Sequence, residues 1–357
     1  MADYLGLTIE TVSHMLTELQ DEAIVASLSF GGSASPVATY WKTSPPDHHP
    51  ACAAAGAIPA VFSSREASMP QTQERTVAKT SARTATFSSL LIHAEPGAVA
   101  THRVEIAARL ARDLGARLIG LGAETFDPGF IADPFAGYAA SQWVTLVQEQ
   151  ISQNLEAAEV AFRRDAAGAE FEWRSVQEQP ARALARAARA ADLIVMTPRG
   201  RGGPTRTADP AEVIMTAGRP VLLVPQSAQR LKGACVIVAW KDSREARRAL
   251  ADAMPFLLAA EDVVVQSVCE GDAVEAATYQ TEDVAAGLKR HGVKARADVS
   301  TATHEGVTLE LERIAALNNA DLIVAGAYGH SRFAEWALGG VSDDLIHKPG
   351  CFVLMSH

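Results

Sequence analysis

The chain has 357 residues, 48% of them apolar, and a formal net charge of −10. That length allows two or three domains with cores that need no disulfide staples, and the acidic balance excludes a general nucleic-acid binder, which needs clustered Lys and Arg. No apolar run reaches membrane-span length and the N-terminus lacks a basic-then-apolar signal pattern, so a soluble cytoplasmic protein without membrane contact is expected. Cys52, Cys235, Cys269 and Cys351 have no metal-ligand spacing, and the last three, in apolar runs, read as buried free thiols.

Residues 1–28 read as the end of one helix, a turn at Gly6 and a second helix with an apolar stripe at Ile9, Val12, Leu16 and Leu19. The stretch resembles the helix-turn-helix of the cyclic-AMP receptor and fumarate–nitrate regulator family. That family reads bases through a Glu-x-x-Ser-Arg pattern. Glu10 and Ser13 fit it, but His14 stands where an Arg would make a bidentate guanine contact. A helix pair this small buries no core of its own, so a remnant is expected, with a DNA-binding regulator as the alternative. Residues 29–86, with Gly31-Gly32, Pro36, Pro45-Pro46, Pro50 and Pro59 among Ser, Thr and Ala, have the composition of a disordered linker. His48-His49 beside Asp47 lack further ligands at a defined spacing and read as solvated.

From Phe87 the pattern is regular. Strands are expected at Ser89–His93, Arg117–Leu121, Phe171–Val176, Leu193–Met196 and Pro220–Val224. Helices fall between them at Val99–Leu114, Ser141–Ala166 and Ala181–Ala190, with a short one before the last strand. The order then restarts. Strands are expected at Cys235–Ala239, Asp262–Val268, Val293–Val299, Leu322–Ala325 and Cys351–Met355, and helices at Arg244–Ala259, Val274–His291 and Val307–Leu317. The duplication shows in letters as well, because Ala191-Asp192-Leu193-Ile194-Val195 recurs as Ala320-Asp321-Leu322-Ile323-Val324. Such alternation indicates parallel sheets covered by helices on both faces. Two α/β domains follow, 87–227 and 232–357, joined through Gln226–Lys232.

After the strand at Leu322 the chain enters a loop with the pattern Gly326-x2-Gly329-x9-Gly339-Gly340. A helix start follows, for which Ser342 reads as the N-cap. Strand, glycine loop and helix N-terminus make an anion site, since bare backbone and free N–H groups favour phosphate. This pattern resembles the nucleotide-binding signature of the universal stress protein family. The resemblance implies two tandem flavodoxin-like, adenine-nucleotide-hydrolase-like domains with open parallel five-stranded sheets. The nucleotide would lie across the carboxyl ends of the strands. It also implies pairing of the last strands, Val221–Val224 with Phe352–Met355, as an intramolecular pseudo-dimer, or else a homo-oligomer.

In nucleotide-binding members an Asp at the end of the first strand meets the adenosine. Here Lys241 takes that position and Asp242 comes one residue late. The family's loop ends in Gly followed by Ser or Thr. Here that place is Gly340, and the nearest hydroxyl is Ser342. Asp343 and Asp344 oppose a polyphosphate, while Lys241, His330 and Arg332 supply positive charge. The resemblance therefore implies ATP, with Mg²⁺, as a ligand of the second domain, held by Lys241, Asp242, Gly326, Gly329, His330, Arg332, Gly339, Gly340 and Ser342. The other reading is that these glycines only shape a tight crossover. The first domain departs further. Thr197 replaces the first glycine, Ala208-Asp209 the double glycine and Glu95 the Asp, although Arg199, Arg201 and Arg206 remain basic.

No Gly-x-Ser-x-Gly elbow, His-Glu-x-x-His helix or Gly-x4-Gly-Lys-Ser/Thr loop occurs, and His304-Glu305 reads as a capping region. The expectation is a non-catalytic stress-response protein that binds adenine nucleotide. The alternative is a slow ATP-hydrolysing or adenylate-using enzyme of the same superfamily.

Overall fold

Alternation of large apolar side chains along each strand decides the layering. The computed structural model describes residues 86–125, 137–198, 206–302, 306–328 and 340–357. The expected helix-turn-helix and linker, Arg199, Arg201, His304-Glu305, Gly329, His330, Arg332 and Gly339 lie outside them.

The elements of the first half are β1 (Ser89–His93), α1 (Ala98–Leu114), β2 (Arg117–Ala123), α2 (Gly137–Asp165), β3 (Phe171–Val176), α3 (Pro180–Ala187), β4 (Leu193–Met196), α4 (Pro210–Thr216) and β5 (Val221–Leu223). The second half has β6 (Cys235–Ala239), α5 (Arg244–Asp252), α6 (Met254–Ala259), β7 (Asp262–Cys269), α7 (Val274–Arg290), β8 (Ala295–Thr301), α8 (Val307–Leu317), β9 (Leu322–Gly326), α9 (Gly340–His347) and β10 (Phe352–Ser356). The single helix expected over Arg244–Ala259 is two helices. Pro255 lacks the N–H an uninterrupted helix needs and instead sits in the first turn of α6.

The expected pairing of the last strands joins the two sheets into one. Ten strands run in the order β3-β2-β1-β4-β5-β10-β9-β6-β7-β8, all neighbours parallel except β5 and β10. That antiparallel pair sets Val353 opposite Leu223, Leu354 opposite Leu222 and Met355 opposite Val221, all fully buried. The halves are related by an approximate dyad through this seam.

Alternate strand residues feed two cores. On one face, Leu90, Ile92, Val195, Leu222, Val236, Val238, Val265 and Leu354 pack under α1, α2, α5, α6 and α7. On the other, Leu91, Ile194, Leu223, Ile237, Val264, Ile323 and Val353 pack under α3, α4, α8 and α9. Each fully buried Leu, Ile or Val contributes roughly 1.5–3 kcal/mol, so a strand buried on both faces needs the near-continuous apolar run these strands show. The outer strands β3 and β8 carry Glu172, Arg174, Arg296 and Asp298, charges that discourage edge-to-edge association.

The repeated Ala-Asp-Leu-Ile-Val letters have a local cause. Asp192, just before β4, accepts from the Ser88 and Ser89 N–H groups at 2.9 and 3.0 Å and from the Ser89 hydroxyl at 3.0 Å, fixing the start of β1. Asp321, before β9, accepts from Lys232 N–H at 2.6 Å and Gly233 N–H at 3.0 Å, fixing the chain as it enters β6. Each carboxylate ties the start of a central strand to its neighbour. Asp321→Ala removes these charge-assisted bonds and is expected to lower stability by about 2 kcal/mol. Denaturant unfolding measures this, and Asp321→Asn, which keeps one acceptor, is expected to lose less.

Candidate functional site

Ligands of open α/β sheets bind at the carboxyl ends of the strands. In this chain that edge occurs twice, and the described residues of the two halves differ there.

In the first half the edge is closed by side chains of the protein itself. Helix α1 buries the stripe Ala100, Arg103, Val104, Ala107, Ala108 and Ala111 against the sheet, so Arg103 falls on an otherwise apolar face and is 2% exposed. Its guanidinium spans the ends of β1 and β4. It donates to the Thr197 hydroxyl at 2.6 Å, to the His93 carbonyl at 2.7 Å and to the Glu95 carboxylate at 2.5 Å. His93 Nε2 faces the Ala123 carbonyl at 3.1 Å, so Nε2 carries a hydrogen. Its Nδ1 lies 3.1 Å from Glu95, within ion-pair distance but off the line of a hydrogen bond. Beside this group, Glu124 receives Arg206 at 2.9 Å and Asn154 at 3.1 Å. The space left among His93, Arg103, Met196, Thr197 and Ala208 admits no water molecule.

Burial by itself raises the pKa of the Glu95 carboxyl. The Arg103 charge, with contacts from His93 and hydrogen bonds, outweighs it and brings the group down from 4.5 to about 2. A lowered folded-state pKa contributes stability that is present above the unfolded value and is lost as pH falls toward the folded one.

The second half is arranged differently. Lys241 and Asp242 follow β6 and are exposed. Asp242 pairs with Arg247 of α5, while Lys241 has no ion-pair partner among the described residues. Ser243, not Asp242, caps α5, accepting from Ala246 N–H at 3.2 Å. Gly326 ends β9 directly under that helix start. A Cβ there would lie 2.5 Å from Ala246 N and 2.6 Å from Glu245 C, both backbone atoms. Close packing accounts for this glycine without a ligand. Gly340 is the opposite case, because among the described residues a Cβ there would meet only Asp344 Oδ2, at 3.9 Å.

Helix α9 begins at Gly340, so Ser342 lies inside its first turn and is not the N-cap expected from the sequence. Its hydroxyl instead receives the Tyr328 N–H at 3.4 Å, linking the exit of β9 to α9. The two acids expected to oppose a polyphosphate are both engaged. Asp344 accepts from the Thr308 hydroxyl at 3.3 Å, and Asp343 lies 3.2 Å from His347 Nδ1.

Among the nine residues expected to hold a ligand, Lys241, Asp242, Gly326, Gly340 and Ser342 are described and belong to the carboxyl-side connections of β6 and β9. Sequence reasoning missed Arg103, although its place three residues after Ala100 and four before Ala107 marks a buried-face cation. It also missed Trp240 Nε1, Gln266 Oε1 and Ser356 Oγ, which are buried near the carboxyl ends of β6, β7 and β10 with no hydrogen-bond partner among the described residues. A groove of about 420 Å³ lies at the opposite, amino edge of the first half. Its charged residues Arg117, Glu170, Glu172 and Arg174 pair with one another, and it has no part in the carboxyl-edge chemistry.

The fold and this edge define a doubly wound, duplicated α/β protein whose first half fills its carboxyl edge with its own side chains. Comparison gives the family. The universal stress protein family matches residues 91–225 and again 235–357, and the crp family of bacterial regulatory proteins matches residues 1–24. The chain belongs to the universal stress protein family, with two copies in tandem. A solved universal stress protein from Archaeoglobus fulgidus DSM 4304 is 17% identical, with 75% of this chain and 95% of that one covered and a TM-score of 0.54. A functionally unknown protein from Pseudomonas aeruginosa PAO1 is 16% identical, covering 76% and 92%, with a TM-score of 0.48. A family member from Burkholderia pseudomallei is 29% identical, covering 39% of this chain and 96% of its own, with a TM-score of 0.27. No curated protein matches the chain.

Two outcomes follow from the site. Gly326→Ala forces a methyl group into the backbone of α5 and is expected to cost about 1–3 kcal/mol, read as a lowered thermal midpoint. Glu95→Gln is expected to destabilise the chain at neutral pH by about 3 kcal/mol. The two unfolding curves should converge as pH falls from 4.5 to about 2, where wild-type Glu95 also becomes neutral.

Proposed function

We propose that the chain is a non-catalytic stress-response protein that binds an adenine nucleotide, ATP with Mg²⁺, at the carboxyl edge of its second half. The observation that carries this reading is Gly340. It stands first in α9, whose leading N–H groups have no acceptor within the helix, and among the described residues no neighbour excludes a side chain there, so their packing gives it no reason to be glycine. Lys241, exposed and without an ion-pair partner among the described residues, supplies a cation at the same edge. Engagement of Asp343 by His347 and of Asp344 by Thr308 lessens the opposition the two acids present to phosphate. Gly329, His330, Arg332 and Gly339 are proposed as further contacts from the sequence pattern alone.

Calorimetric titration with ATP and Mg²⁺ tests this. Saturable heat is expected in the wild type, and Lys241→Glu should weaken affinity by about tenfold, the size of an exposed charge reversal beside an anion. The absence of both heat and thermal shift at millimolar ATP would remove the ligand and leave a scaffold. Phosphate release that persists through purification and disappears in Gly329→Val would instead make the second half an enzyme.

A further inference from the structure

The first half has a site of its own, and that site is already filled. Thr197 Oγ1, the His93 carbonyl and a Glu95 oxygen converge on one planar guanidinium at 2.5–2.7 Å. Two of these acceptors belong to β1 and its exit and the third to the exit of β4, strands that are neighbours in the sheet. They define the crevice in which a sheet of this topology takes its ligand. All three are buried or nearly so, and the guanidinium comes from a helix that packs on one face of the sheet. A planar fork of N–H donors is the shape that such a set of acceptors selects, and an ammonium does not reproduce it.

We propose that Arg103 is the built-in ligand of the first half: its side chain occupies the crevice and holds it permanently shut. The first half is then a guanidinium receptor satisfied in cis, and external ligands are confined to the second half. At the corresponding place in the second half, Gly326 stands for Thr197, Lys241 for Glu95 and Ala249 for Arg103, so the plug and both of its side-chain acceptors are replaced there. This inference does not depend on what the second half binds.

Chemical rescue of the full chain tests it. Arg103→Ala leaves a buried carboxylate and hydroxyl unpaired and is expected to lower the thermal midpoint by about 6–10 °C. Millimolar methylguanidinium is expected to restore several degrees to this variant and nothing to the wild type, while methylammonium restores neither. If Arg103→Ala alone does not fold, the readout becomes the yield of folded chain on refolding with each cation. Equal effects of the two cations, by either readout, would overturn the proposal. Equilibrium dialysis of the wild type with labelled ATP gives a second test. At most one nucleotide per chain is expected, and two per chain would show that Arg103 does not close the first crevice. No binding at all would remove the nucleotide reading of the second half and leave the rescue result standing.

Discussion

The antiparallel seam between β5 and β10 is the constraint on which the rest of the molecule depends. Each is the last strand of its half, and each would be an exposed edge if the halves folded apart. Unpaired backbone N–H and C=O groups on an apolar edge are an association hazard. Here Val221, Leu222 and Leu223 meet Met355, Leu354 and Val353 and are fully buried. The seam converts two potential edges into the middle of one ten-stranded sheet and moves the true edges outward to β3 and β8, where charged residues guard them. Contacts away from the seam reinforce it. The Phe87 and Phe256 rings lie 5.3 Å apart across the halves, and Arg109 donates to the Gln229 carbonyl at 2.6 Å.

Joining two copies in one chain removes the need for them to stay alike. A symmetric dimer of identical chains carries every substitution on both sides of its dyad, whereas a fused pair can change one side alone. The carboxyl edges show this freedom in use. One half fills its crevice with a guanidinium held by three acceptors and surrounds it with a second pair, Arg206 and Glu124. The other leaves a lysine exposed and starts its last helix on a glycine that none of the described residues crowds. A buried ion pair is costly to break but contributes little beyond an apolar equivalent, so what the Arg103 cluster supplies is shape and closure more than stability.

Reading the sequence located the strands of the duplicated region within one or two residues, because the inner strands show apolar runs and the outer β3 and β8 an apolar–polar alternation. It failed at single residues, one whose effect is local and others that act through distant partners. The single helix over Arg244–Ala259 ignored the missing N–H of Pro255. Ser342 looked like a cap because it precedes two acids and an apolar pair, yet α9 starts earlier and the hydroxyl serves Tyr328 instead. Gly326 and Gly340 look equivalent as letters, and only the position of α5 separates them. Arg103 passed as one more polar residue in an amphipathic helix, although its spacing already placed it on the buried side.

The sequence by itself determined the duplication, the order of strands and helices and the family, since these follow from local apolar periodicity and a repeated motif. It also marked Asp192 and Asp321 as equivalent, without saying what they hold. The family resemblance already implied that the last strands pair, and the tertiary structure decided their register, the filling of the first half's edge by Arg103 and which glycine answers to packing. Those outcomes rest on contacts between residues far apart in the chain, such as Arg103 with Thr197 and Gly326 with Ala246, whose distances no local pattern encodes.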